Sequence, residues 1–136
     1  WVRTFDMPRK RRRFDATMIY SERRGRIVDY LGTHQHLAVD IDMNVSENGG
    51  LRLRSAGQRF YEGIIGFSFP MLFSGIAEVC EWYDDDAGQY RISVDVRNPF
   101  WGRLFGYRGS FEAEFFPCEP KNVPRHVRPV REEQRE

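Results

Sequence analysis

Apolar and polar residues alternate with a period of two along most of this sequence, and that alternation constrains the fold more than any other feature. Residues two apart lie on the same face of a β-strand, so each alternating segment predicts a strand with one apolar face. The 3.6-residue period of an amphipathic helix is nearly absent. The clearest segment is 37–45, and the others are 14–20, 27–31, 51–54, 76–83, 90–96 and 105–115.

Short turns join these segments. Residues 48–50, Asn-Gly-Gly, favour a hairpin because asparagine and glycine tolerate positive φ. The alternation continues over residues 59–69, where Gly63 and Gly66 predict bends or bulges, and Pro70 ends that segment. About eight strands without a crossover helix predict an all-β antiparallel meander. To bury its apolar face, the meander is expected to form a strongly curved sheet or a lipocalin/calycin-like barrel, with a two-sheet sandwich as the alternative.

The length and composition suit one small domain with a core. The chain has 136 residues, of which 40% are hydrophobic. We predict a single β domain over residues 1–118, followed by a charged, proline-containing tail over 119–136 that is either a packed arm or disordered. No apolar run approaches the roughly 18 residues that a membrane helix needs, so we expect a cytoplasmic location. Cys80 and Cys118 lie in no zinc-binding spacing and are expected to be reduced.

Positive charge is concentrated near the start of the chain. Residues 1–26 carry nine basic and three acidic side chains, whereas the whole chain has a net charge of +1. The basic cluster at residues 9–13 is able to meet phosphate or an anionic membrane surface. We favour instead a basic loop that faces the protein's own acidic strands, because no aromatic stacking motif accompanies it. Nucleic acid and membrane surfaces are therefore not expected as partners.

Several motifs rich in glycine, proline and aromatic residues resemble those of a known bacterial family. They are Trp1-x-Arg3-x-Phe5, Asp29-Tyr30-Leu31-Gly32, Gly50-Leu51-x-Leu53, Phe69-Pro70-x-Leu72 and Asn98-Pro99-x-x-Gly102-x-Leu104-Phe105-x-Tyr107-x-Gly109. Over residues 1–116 the sequence resembles the domain of unknown function 4166, and most of all its Bacillus-type stand-alone members. The resemblance implies that an N-terminal part of that domain is absent here. It implies no activity, cofactor or catalytic residue.

Two histidines are weak candidates for a metal site. His34 and His36 are two residues apart, so on a strand both imidazoles face the same side, and Asp29 or Asp40 is available as a third ligand. We favour a plain pair of loop histidines, because no third histidine lies nearby. No metal site is therefore assigned.

Paired carboxylates are the next chemical candidates. Asp40 and Asp42 share the polar face of their strand, opposite the apolar row. We expect them to pair across strands with Arg52 and Arg54 rather than to perform acid–base chemistry.

Glu78 is ambiguous, because it has the same parity as Ile76, Cys80 and Trp82. If that parity faces inward, Glu78 is a buried carboxylate and the best ligand-orienting candidate in the chain. If the opposite parity faces inward, Glu81 interrupts the apolar row instead.

No catalytic residue is assigned, because the serines lie in no Gly-x-Ser-x-Gly motif and no glycine loop suits a nucleotide. We favour a β-barrel-like module that binds an apolar or lipid-like small molecule, with no cofactor and an aromatic pocket near the last hairpin. The alternative is a structural or protein-binding domain with a solid core, in which the aromatic residues only fill space. Enzyme activity ranks behind both. The candidate ligand-binding residues are Glu78, Trp82, Phe100, Trp101 and Tyr107.

Overall fold

A computed structural model describes residues 1–62, 65–68, 75–119 and 122–133 of the protein. A short 3-10 helix, Arg125–Val127, lies near the C-terminus, and no helix in the described ranges is long and apolar enough to cross a membrane. Extended structure dominates these ranges. The strands are β1 Val2–Met7, β2 Lys10–Ser21, β3 Arg26–Leu31, β4 Leu37–Val45, β5 Leu51–Glu62, β6 Ile65–Ser68, β7 Ile76–Asp84, β8 Gln89–Asn98 and β9 Gly102–Phe111.

The strands form one antiparallel sheet in the order β1-β2-β3-β4-β5-β7-β8-β9, with β6 paired to β5. Neighbours in this order are also neighbours along the chain, apart from the short β6. The all-β antiparallel meander predicted from the alternation is thereby confirmed, as a single sheet rather than two packed sheets.

Most strand boundaries follow the alternation closely. Strand β4 spans the predicted residues 37–45, and the turn after it contains Gly49 at a φ of 79°, a conformation that glycine adopts without strain. The predicted interruptions at Gly63 and Pro70, and the Phe69-Pro70-x-Leu72 motif, lie outside the described residues.

The basic cluster at residues 9–13 does not form the expected loop. Strand β2 begins at Lys10, and its basic residues pair in register with β1, from Met7↔Lys10 onwards. Arg11 contacts Asp6 at 2.6 Å and Arg13 contacts Asp15 at 2.8 Å. The arginine side chains stay exposed while their backbone completes the hydrogen-bonded ladder, so a run of charge does not prevent strand formation.

The chain divides into two compact units. Unit 1 comprises Trp1–Asp40, Gly57–Ser68 and Pro117–Glu136. Its core consists of Val28, Tyr30 and Ala38, which are fully buried, with Ile19 and Tyr61 packed against them.

Residues 122–133 of the tail are called the arm below, and they contact the rest of unit 1. Gln35 donates from Nε2 to the carbonyl oxygen of Arg128 at 2.9 Å and accepts from the backbone N–H of Val130 at 2.9 Å. These contacts favour the packed arm over a disordered tail. The domain boundary at residue 118 stays a prediction.

Unit 2 comprises Ile41–Ala56 and Phe69–Phe116. The register aligns Leu53 with Val79, Val79 with Val94, and Val94 with Tyr107, so one face of this part of the sheet is apolar. Leu53, Ile92 and Val94 are buried on it. The opposite face carries six arginines from β5, β8 and β9, which are Arg52, Arg54, Arg91, Arg97, Arg103 and Arg108.

Candidate functional site

The arginine-bearing face of unit 2 contains a groove centred on β8. Antiparallel pairing places Ser93 between Cys80 of β7 and Arg108 of β9, and pairs Trp82 with Arg91. Side chains of directly opposed residues lie on the same face, so this register forms the groove. Its volume is about 670 Å³, and it is lined by Cys80, Trp82, Arg91, Ile92, Ser93, Arg108 and Gly109.

The two arginines of the groove differ in their electrostatic environment. Arg91 Nε lies 3.1 Å from a carboxylate oxygen of Asp84, so its charge is balanced locally. Arg108 is exposed and makes no ion pair with any described residue. A groove that combines an indole ring with an unbalanced guanidinium suits a ligand with an apolar body and an acidic group.

A second hollow of about 610 Å³ adjoins the groove and is bordered by Tyr107, although the register places the side chain of Tyr107 on the apolar face. Asp95 lies between two arginines there, and the hydrogen bond from Arg97 holds the pKa of Asp95 below its usual range. Arg103 Nε contacts the same carboxylate at 2.7 Å. Tyr107 is half-buried, and its ring centroid lies 5.6 Å from that of Phe105.

Glu78 is exposed, so the sequence alternative in which it is a buried carboxylate is not realised. It lines a hollow of about 270 Å³ with Arg54 and Arg97. Glu81, of the opposite parity, is half-buried and pairs in register with Leu51 and Ile92 of the apolar face. Strand β7 therefore has the other orientation considered from the sequence, in which Glu81 interrupts the apolar row.

Phe100 and Trp101 lie at the tip of the β8–β9 hairpin, outside the lining of the groove that contains Trp82. Their side chains are 68% and 71% exposed. Asn98 fixes the tip, because its Oδ1 accepts the backbone N–H groups of Phe100 at 2.7 Å and Trp101 at 3.0 Å. Of the five predicted ligand-binding residues, only Trp82 lines the groove.

His34 and His36 do lie together, with ring centroids 5.7 Å apart. His36 Nδ1 is 2.8 Å from the carbonyl oxygen of Tyr61, which only accepts, so this nitrogen carries the proton. A carboxylate oxygen of Glu62 lies 3.3 Å from the same nitrogen. Within the described ranges, no group of three or more histidine, cysteine, aspartate or glutamate residues is arranged to hold a metal ion.

Unit 1 contains a buried ionic cluster that no sequence pattern indicated. Asp40 contacts Arg59 at 2.7 Å and Arg24 at 3.4 Å, and its side chain is 9% exposed. The expected pairing of Asp40 with Arg52 or Arg54 is therefore wrong. Arg59 also forms an ion pair with Glu132 of the arm. Burial alone would lower the pKa of Arg59, but its hydrogen bonds to Asp40 and Glu132 outweigh burial and raise that pKa.

Two tyrosines complete this cluster. The hydroxyl of Tyr61 donates to Glu132, and burial together with this carboxylate raises the pKa of Tyr61. Tyr30 is fully buried, and burial followed by the charges of Glu132 and Glu133 raises its pKa to about 12. The alternation did indicate that Arg59 and Tyr61 share a face of β5, but no local pattern indicated the partner from the arm.

Comparisons with known proteins assign the sequence to a family. No solved structure matches the chain. The chain is 36% identical over 114 residues to the Bacillus subtilis (strain 168) protein named "Uncharacterized protein YndH"; the match covers 84% of this chain and 56% of that relative's length. Residues 1–111 match the family described as "Domain of unknown function (DUF4166)". The chain therefore belongs to the DUF4166 family.

Proposed function

We propose that this chain is a small-molecule-binding module whose ligand has an apolar, lipid-like body and one acidic group. The observation that carries the proposal is the groove of unit 2, in which Trp82 lies on the same face as Arg108. In this proposal Trp82 contacts the apolar body and Arg108 pairs with the acidic group.

The dimensions and charge of the groove support this ligand class. Its volume of about 670 Å³ falls within the range of about 300–1,000 Å³ that is usual for small-molecule sites. Arginine binds planar carboxylates through two parallel hydrogen bonds, and Arg108 has no described carboxylate that competes for them. A neutral apolar ligand would leave this arginine without a counter-charge, so an acidic group is favoured.

The alternative function is a protein-binding domain without a small ligand. Its support is the hairpin tip, where Phe100 and Trp101 are largely exposed on a turn that Asn98 holds in place. Exposed aromatic residues on an ordered turn are frequent anchors of protein interfaces. This alternative requires neither the groove nor Arg108, so the two functions make different predictions.

The test is a titration of the purified chain with a fluorescent long-chain fatty acid and with the corresponding fatty alcohol. We expect saturable binding of the acid. Ser93→Phe fills the middle of the groove and is expected to abolish binding, whereas Asn44→Phe, at an exposed position on β4 of the same unit, leaves it intact. Arg108→Gln is expected to weaken binding of the fatty acid at least tenfold and to weaken binding of the fatty alcohol much less. Arg12→Gln in unit 1 is the charge-matched control.

Two results would contradict the proposal. The first is the absence of saturable binding by the folded wild-type protein. The second is equal binding by wild type and by folded Ser93→Phe, which places the probe elsewhere. Circular dichroism of each variant establishes that it is folded before the titration is interpreted.

A further inference from the structure

A set of hydrogen-bond donors in unit 1 converges on one glutamate of the arm. Glu132 accepts from Arg24 Nε at 2.9 Å, from Arg59 Nη2 at 3.2 Å, and from Arg59 Nε and the Tyr61 hydroxyl at short range. Its side chain is only 5% exposed. Although burial raises the pKa of Glu132, the bonds from Arg59 and Tyr61 outweigh it and lower that pKa, so the carboxylate is ionised.

The neighbouring glutamate occupies the adjoining donor. The hydroxyl of Ser21, at the buried end of β2, donates to Glu133. Ser21 Oγ also accepts the backbone N–H of Arg24 at 3.3 Å, which orients the hydroxyl. We call Ser21, Arg24, Arg59 and Tyr61 the donor pocket. Its four side chains come from the sheet and the β2–β3 turn, and they hold two carboxylates at once.

The charges of the sheet also require an anionic occupant. Asp40 is surrounded by Arg59 at 2.7 Å, Arg24 at 3.4 Å and Arg26 at 4.0 Å. Arg24 and Arg59 place two positive charges against the one negative charge of Asp40, a local excess of one positive charge. Glu132 of the arm pairs with both arginines and neutralises this excess. Buried charges are stable only when they are paired in this way.

One donor in this region is left unsatisfied by the arm. The Tyr30 side chain is fully buried, and its hydroxyl makes no hydrogen bond with any described residue. The register of β2 and β3 places Tyr30 on the same face as Ser21, and burial followed by the charges of Glu132 and Glu133 raises the pKa of its hydroxyl. An unpaired buried hydroxyl is unfavourable, because it has lost its hydrogen bonds to water without gaining a partner in the protein. The arm therefore fits the donor pocket incompletely, as expected of a substitute for another anion.

The donor pocket lies within the residues that match the family, whereas the glutamates that occupy it do not. All donors lie within residues 1–111, which match the DUF4166 family, whereas Glu132 and Glu133 lie beyond that match. From these observations we infer that the donor pocket binds a small dicarboxylate, and that the arm occupies it as an internal competitor. The Tyr30 hydroxyl supplies an additional donor to the dicarboxylate. This site is separate from the groove of unit 2 and does not depend on its function.

The test compares the full chain with a Glu132→Ala/Glu133→Ala variant, using succinate, glutarate and adipate as probes in isothermal titration calorimetry. A tethered competitor acts at a local concentration in the millimolar range, so its removal is expected to strengthen binding of at least one probe tenfold or more. The matched control is Asp85→Ala/Asp86→Ala in the exposed β7–β8 turn, which removes the same charge from unit 2 and is expected to bind like wild type.

Tyr30→Phe tests the unpaired hydroxyl. Introduced into the Glu132→Ala/Glu133→Ala variant, it is expected to weaken dicarboxylate binding at least threefold. In the wild-type background the same change removes no described hydrogen bond, so the fold is retained. Should the alanine variant not fold, Glu132→Gln/Glu133→Gln keeps the side-chain shape, withdraws both charges and replaces it in the comparison.

Three outcomes would overturn the inference. They are the absence of saturable dicarboxylate binding by the folded variant, equal affinity of the variant and wild type, and an equal gain in the Asp85→Ala/Asp86→Ala control. Binding of inorganic phosphate without binding of any dicarboxylate also overturns it, because the pocket would then have a different ligand class.

Discussion

Asp29 provides a quantitative test of how burial governs stability in unit 1. It lies on β3 opposite Met18, is 6% exposed, and its Oδ1 makes no hydrogen bond with any described residue. Burial raises the pKa of Asp29 from 3.8 to about 6, although the nearby positive charge of Arg3 opposes that shift. Ionised Asp29 is therefore unfavourable in the folded protein relative to the unfolded chain.

The magnitude follows from the difference between the two pKa values. A shift from 3.8 to about 6 is roughly two units, and at about 1.4 kcal/mol per unit it corresponds to about 3 kcal/mol. Below pH 3.8 the carboxyl is protonated in both states, and the penalty is absent. As the pH rises through about 6, the unfolded state ionises first, so the folded state loses stability until the full penalty applies.

Asp29→Asn keeps the size of the side chain and cannot ionise. We expect its free energy of unfolding, relative to wild type, to increase by about 3 kcal/mol between pH 3.5 and pH 8. Urea denaturation at several pH values measures this difference, and Asp86→Asn in the exposed β7–β8 turn controls for the loss of a surface carboxylate. A difference that does not vary with pH, or an Asp29→Asn variant less stable than wild type at pH 8, would refute the reasoning.

Two further predictions concern β8 and β9. Gly106→Ala is expected to lower the free energy of unfolding by about 1–3 kcal/mol, because the added Cβ would lie 2.9 Å from the carbonyl oxygen of Val94. Gly109→Ala is its control, since a Cβ there meets nothing within 4 Å; comparable destabilisation of both would contradict the steric argument. Asn98→Ala is expected to lower the free energy of unfolding by about 1–2 kcal/mol, because two backbone N–H groups lose their acceptor. Asn98→Asp retains that acceptor. Thermal unfolding measures both, and equal loss in the Ala and Asp variants would refute the second prediction.

The strands were predictable from the sequence because their signal is local. In β4 the alternation of residues 37–45 marks the complete strand, and the turn that follows contains the residues that positive φ requires. The alternation does not show which face of the strand is buried. Both Ala38 and Val39 are buried although they lie on opposite faces, whereas the second half of the strand is exposed.

Glu78 illustrates the same limit in unit 2. Its parity includes Trp82 and Cys80, which made an inward orientation reasonable. The register shows that this parity aligns with Arg54 of β5 and Asp95 of β8, so the face is polar. A comparison of all three strands would have favoured the exposed orientation, because arginine is rarely buried without a partner.

The ion pairs of the two units differ in how far apart the partners lie along the chain, and this difference explains why the sequence did not indicate the buried cluster of unit 1. In unit 2 the partners are local: Arg97 pairs with Asp95 and Arg91 with Asp84. Such partly exposed pairs contribute little to stability, since water solvates their members almost as well. In unit 1 the Arg59–Glu132 pair spans 73 residues and is buried. A buried charge must find its partner wherever the fold provides it, so the buried cluster depends on the tertiary structure and leaves no periodic signal in the sequence.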